Sequence, residues 1–82
     1  MSWYVYILRC ADDTLYTGIT TDVVRRLREH NEAKLGAKYT RARRPVVLVY
    51  KKRFTSRSTA AIREAALKKL SREEKLMLLA KP

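Results

Sequence analysis

The start of the chain restricts the fold most, because two strand-like runs are separated there by a loop short enough to force a hairpin. Trp3-Tyr4-Val5-Tyr6-Ile7-Leu8 is almost entirely aromatic and β-branched, as a strand covered on both faces would be. Ala11-Asp12-Asp13-Thr14 supplies turn chemistry before a second run from Leu15 to Ile19. A loop of Ala11 to Asp13 sets Cys10 opposite Thr14. Paired residues then have numbers of equal parity, so Tyr6 and Tyr16 project from one face of the hairpin. A loop of two residues would put them on opposite faces.

Thr20, Thr21 and Asp22 form an N-capping cluster, followed by Val23, Leu27 and His30 at helical spacing among Arg25, Arg26, Arg28 and Glu29. This amphipathic helix is expected to end near Glu32 to Ala33. The stretch from Lys34 to Pro45, with Gly36 and five basic residues, reads as an exposed loop suited to phosphate contacts. Val46-Val47-Leu48-Val49-Tyr50 predicts a third strand, expected in the middle of the sheet. The cluster from Ser56 to Thr59 can cap a helix containing Ala60, Ala61, Ile62, Ala65, Ala66 and Leu70. Ser71-Arg72-Glu73-Glu74 has the capping-box pattern of one more short helix. The expected fold is α+β, a small three-stranded, mostly antiparallel sheet flanked by helices in the order ββαβαα. A chain of 82 residues supports one modest core, hence a single domain over 1–82.

Nineteen Lys and Arg against eight Asp and Glu give a net charge of +11, a field that concentrates polyanions around so small a body. Nucleic acid is the leading partner, although charge alone does not choose between DNA and RNA or between cutting and holding. The single Cys10 excludes an internal disulfide and a cysteine-based zinc site. Apolar runs of about six residues fall far short of the roughly 20 needed to cross a bilayer, and no signal-like segment opens the chain. A cytoplasmic protein with no membrane association is expected.

Tyr4-Val5-Tyr6 and Tyr16-Thr17-Gly18, the helix from Asp22 to Asn31, and the glutamate of Arg63-Glu64-Ala65-Ala66-Leu67-Lys68 together resemble the GIY-YIG nuclease superfamily. The likeness is to its small stand-alone bacterial members and to the related structure-specific junction nucleases, and it covers nearly the whole chain. Tyr4 stands where the first motif usually has glycine, and the two motifs lie slightly closer together than in many members.

The resemblance implies a divalent-metal-dependent DNA endonuclease that hydrolyses phosphodiesters, acting on branched or single-stranded DNA in repair or recombination. Such hydrolysis needs a water made nucleophilic, charge neutralised on the non-bridging oxygens, and help for the departing 3′ oxygen. By the same resemblance Tyr6 corresponds to the general base and Tyr16 to the residue that orients the water or binds the scissile phosphate, two roles that could be exchanged. Arg26 corresponds to the catalytic arginine, Arg25 being its neighbour one helical step away. Glu64 corresponds to the ligand of one Mg²⁺ or Mn²⁺ ion. His30, one turn after Arg26, would hold a phosphate or orient a tyrosine, and Gly18 would permit a close approach at the strand end. Lys38, Tyr39, Thr40, Arg41, Arg43 and Arg44 combine charge, an aromatic ring and a hydroxyl beside the site, a composition suited to sugar-phosphate contacts and base stacking. Most characterised members join the nuclease module to a recognition domain, so shape recognition would belong to this chain or to a partner protein. The alternative is a non-catalytic DNA- or RNA-binding module that keeps the fold.

Overall fold

The hairpin expected from the first two runs forms in the expected register. In the computed structural model, which describes residues 2–32 and 38–80, strands β1 (Trp3–Arg9) and β2 (Leu15–Thr20) pair antiparallel with Tyr6 opposite Gly18 and Leu8 opposite Tyr16. The Cys10 amide donates to the Thr14 carbonyl at 2.8 Å, closing the loop from Ala11 to Asp13. Asp13 turns the chain at a φ of 68°, a left-handed conformation that Asp tolerates better than most residues. Tyr6 and Tyr16 therefore share a face, their ring centroids 6.4 Å apart.

Helix α1 (Val23–Glu32) begins at Asp22, whose carboxylate accepts from the Arg25 amide, and a single helical turn, α2 (Lys38–Arg41), follows within the segment read as a loop. The part of that segment from residue 33 to 37 lies outside the described residues. Strand β3 (Val47–Phe54) precedes helices α3 (Arg57–Lys68) and α4 (Arg72–Ala80), giving the order ββαβαα with the one-turn helix as an addition. Ser56 caps α3 by accepting from the Thr59 amide. Ser71 and Glu74 cap α4 reciprocally, each side chain accepting from the other's amide, as the capping-box pattern predicts.

The strand order is β2-β1-β3, all antiparallel, so β3 is an edge strand and not the central one expected from its apolar run. The central position belongs to β1, whose Val5, Ile7 and Leu8 are fully buried. The apolar run of β3 occupies only its first half, and its second half carries Lys51, Lys52 and Arg53, all exposed. Charged side chains on an edge also discourage pairing with another chain. A register shift between Ile7 and Leu8 leaves Val49 as the extra residue of a bulge, so Tyr50 and Leu48 both face β1 partners.

Each face of the sheet has its own core. Val5 and Ile7 pack with Ala60 and Leu67 of α3, with Leu78 and Leu79 of α4 against them. Tyr6, Leu8, Cys10 and Val46 pack on the other face with Tyr16, Leu27 of α1 and Leu48. No helix among the described residues is long and apolar enough to cross a membrane.

Gly18 marks where this second face must be thin. A Cβ on Gly18 would lie 2.5 Å from the Tyr6 hydroxyl oxygen and 2.7 Å from its Cζ, closer than real contacts allow. The Tyr6 ring lies across its cross-strand partner, and only a hydrogen side chain leaves room for it. Gly18→Ala is expected to destabilise the protein by about 1–3 kcal/mol, the usual range for overpacking a well-filled core. Urea unfolding measures this, and a variant as stable as the parent would show that Tyr6 is not held against β2.

Candidate functional site

The Tyr6 hydroxyl is the point on which the site converges. Tyr6 is 2% exposed, and its oxygen lies 2.8 Å from His30 Nε2. Arg26, one turn before His30 on α1, donates a hydrogen bond to the same hydroxyl and pairs with Glu29 at 3.0 Å. Since a guanidinium only donates, the phenol oxygen accepts from Arg26, and its own proton is available to His30. His30 is fully buried, and its other nitrogen, Nδ1, lies 2.8 Å from Thr40 Oγ1. In the tautomer whose Nδ1–H donates to Thr40, Nε2 accepts the Tyr6 proton.

Electrostatics agree with a neutral relay. Burial, with the Arg26 charge beside it, pushes the His30 imidazole down to about 4, so the ring is neutral at pH 7. Burial also pushes the Tyr6 phenol up to about 12, outweighing the Arg26 hydrogen bond, and the Tyr16 phenol and Glu64 carboxylate disfavour its ionisation further. Basic neighbours favour the phenolate, but in the free protein desolvation outweighs them. Burial opposes the Arg26 charge too, but hydrogen bonds to Glu29 and Tyr6 keep its pKa above the ordinary value.

Tyr16 is more exposed than Tyr6 and lies in a ladder of rings. It sits 5.1 Å from His30 and stacks on Tyr39 at 5.8 Å, and Arg43 covers the Tyr39 ring at 4.0 Å. Arg43 is itself fixed by Asp12 at 3.0 Å and by the Tyr39 carbonyl at 2.8 Å. The Ala11 amide donates to the Arg43 carbonyl at 2.8 Å, tying the hairpin loop to the segment after α2.

The six residues expected to touch nucleic acid thus divide. Lys38, Tyr39 and Arg41 are exposed. Thr40 is fully buried against His30, and Arg44 donates to the His30 and Glu29 carbonyls at the end of α1. Arg43 is engaged by the hairpin loop, as above. Reading this segment as a solvent loop missed that it closes the core beneath the histidine. Asn31 was not singled out either. Its amide grips both the Val46 N–H, at 2.7 Å, and the Val46 carbonyl, at 3.0 Å, so α1 sets the start of β3. No local pattern reveals such a bond across 15 residues.

Glu64 projects from α3 with a side chain 22% exposed, paired with Lys68 at 3.4 Å, and its charge is felt at the Tyr6 hydroxyl. Among the described residues no group of three or more His, Cys, Asp or Glu side chains is placed to hold a metal ion. A single accessible carboxylate suits a hard cation that takes most of its ligands from water and phosphate oxygens. The donor set at Glu64 fits such an ion.

Neutral, buried His30 links the site to stability. Its folded pKa lies below the unfolded value near 6.5, so the unfolded chain takes up a proton first as pH falls. The stabilisation is complete above pH 6.5 and is lost as pH falls toward 4. By pH 5 the loss should be about 2 kcal/mol. Denaturant unfolding at pH 7.5 and 5 measures it, with His30→Gln expected to lack this component; equal acid sensitivity in both proteins would contradict a buried neutral imidazole.

The chain is similar to proteins across bacteria and archaea. The UPF0213 protein of Desulfotalea psychrophila is 55% identical over 78 residues, 95% of this chain and 71% of that protein. The UPF0213 protein of Syntrophus aciditrophicus is 57% identical over 76 residues, covering 93% and 87%. That of Natronomonas pharaonis is 57% identical over 77 residues, covering 94% and 89%. The solution NMR structure of the UPF0213 protein from Bacillus halodurans superposes with a TM-score of 0.63 at 48% identity, over 98% of this chain and 84% of that one. The GIY-YIG catalytic domain family matches residues 2–77, a span that contains Tyr6, Tyr16, Arg26, His30 and Glu64. The chain therefore belongs to the GIY-YIG family, a nuclease superfamily that generally uses divalent metals, and its relatives are the small UPF0213 proteins.

Proposed function

We propose that this protein is a divalent-metal-dependent DNA endonuclease, with Tyr6, Tyr16, Arg26, His30 and Glu64 as its catalytic residues. The observation that carries the reading is the convergence of His30 and Arg26 on one buried phenol hydroxyl. Dispersed surface charges would bind DNA equally well but would not build a buried proton relay.

In this reading, Tyr6 takes a proton from the attacking water while its own passes to His30 Nε2, which Thr40 holds in the accepting tautomer. The water oxygen forms a bond to phosphorus, and the bond from phosphorus to the 3′ oxygen breaks. Arg26 neutralises charge gathering on the non-bridging oxygens, to which its planar fork is matched. Tyr16, the more exposed phenol, orients the water or the scissile phosphate from its place between His30 and Tyr39. Glu64 would hold one Mg²⁺ or Mn²⁺, which supplies charge neutralisation and support for the departing oxygen. The raised pKa of Tyr6 keeps the phenol protonated in the free protein, and a divalent cation held at Glu64 would favour its ionisation. The basic surface suits branched or single-stranded DNA in repair or recombination, with recognition supplied here or by a partner protein.

Cleavage of labelled duplex, single-stranded, flap and branched DNA in Mg²⁺ or Mn²⁺ tests the proposal. Glu64→Gln and Tyr6→Phe should each lower turnover by at least about 100-fold, the lower end of a general-base contribution, while DNA binding persists. Arg26→Ala should depress kcat more than affinity. Binding by every variant with no cutting by the parent would favour the non-catalytic module, and cutting by Glu64→Gln at the parent rate would remove the metal assignment.

A further inference from the structure

Between Glu32 and Glu64 the chain contains ten Lys and Arg and no Asp or Glu, yet the structure distributes these charges unequally. Arg43 and Arg44 are engaged by Asp12 and by backbone carbonyls. On β3 the picture differs. Lys51, Lys52 and Arg53 are exposed, and no carboxylate among the described residues pairs with any of them. Arg53 donates through Nε to Ser2 Oγ at 2.7 Å, a neutral contact that steadies the guanidinium without cancelling its charge.

Register decides which of these charges face the site. Lys51 lies directly opposite Tyr6 and Arg53 directly opposite Tyr4, so both project from the face that carries Tyr6, whereas Lys52 lies opposite Val5 on the α3 face. Lys51 also forms one wall of a depression of about 220 Å³, completed by Tyr4, Asp22 and the first residues of α1. This trough runs on the same face as the Tyr6 site. Two strand steps of about 3.4 Å separate Lys51 from Arg53, close to the axial rise of two nucleotides in one DNA strand.

We infer that Lys51 and Arg53 form a phosphate-binding rail, along which the DNA strand leaving the Tyr6 site continues over the edge of the sheet. The inference rests on the nuclease reading for the side from which DNA approaches. The rail contacts the backbone without reading sequence, and it places the path of the strand across β3 in addition to the α2 segment. Tyr4, where the family usually has glycine, lies directly opposite Arg53 and lines the same depression as Lys51.

The test is equilibrium binding of labelled duplex DNA in EDTA between about 50 and 200 mM salt, so that no turnover is required. The double variant Lys51→Gln/Arg53→Gln should bind more weakly, with a salt slope shallower by about 1.8, at about 0.9 per lost phosphate contact. Lys51→Arg/Arg53→Lys keeps the charge and should retain the parent slope. Lys69→Gln/Arg72→Gln removes the same formal charge from exposed residues at the junction of α3 and α4, where Arg72 pairs with Asp13, and should also leave the slope unchanged.

A parent-like slope in the β3 double variant overturns the rail. Self-association of that variant with unchanged DNA affinity would also overturn it, assigning these charges to edge protection. An equal loss in the control reduces the effect to net charge and overturns it as well. A protein that shows the predicted slopes but never cuts DNA loses the nuclease reading while keeping the rail, and one that cuts with an unchanged slope does the reverse.

Discussion

The hydrogen bond between the Tyr6 hydroxyl and His30 Nε2 sets the terms for the rest of the molecule. It buries a phenol and an imidazole together, and leaving either without partners would cost stability. Thr40 satisfies the far nitrogen of the imidazole and Arg26 the phenol oxygen. The requirement then spreads outward. Gly18 must lack a side chain for the Tyr6 ring to fit, and Arg44 and Asn31 fasten the end of α1 so that His30 stays in place. The segment from Lys38 to Val46 is thereby drawn from the surface into the wall of the site.

The same burial that stabilises this network restrains its chemistry. Desolvation keeps His30 neutral, so that Nε2 can accept the phenol hydrogen bond but is weakly basic, and it keeps Tyr6 protonated, which does not suit a base. In the proposed nuclease the missing positive charge would come from the cation at Glu64. A phenol that ionises only when that cation is present ties activity to a complete site, a useful property in a protein whose net charge of +11 attracts any polyanion.

Much of this was legible in the sequence because it depends on local rules. The loop from Ala11 to Asp13 fixed the parity of the hairpin and so put Tyr6 and Tyr16 on one face. The Ser71 and Glu74 capping box announced α4, and the spacing of Val23, Leu27 and His30 announced α1. What stayed hidden depends on long-range contacts. The apolar run from Val46 to Tyr50 suits an edge strand with a bulge as well as a central strand, and only the pairing of β1 on both sides decides between them. Thr40 and Arg44 look like ordinary members of a basic loop until His30 is placed beside them. The raised pKa of Tyr6 is hidden for the same reason, since burial is a tertiary property.

The central claim is that His30 is a neutral, buried acceptor for the Tyr6 proton. The most direct measurement is a pH titration of the ring-nitrogen resonances of ¹⁵N-histidine-labelled protein, which is simple to assign because His30 is the only histidine. The account predicts a single titration near pH 4, with Nδ1 protonated and Nε2 unprotonated at pH 7. A titration near 6.5, or a proton on Nε2 at pH 7, would contradict it.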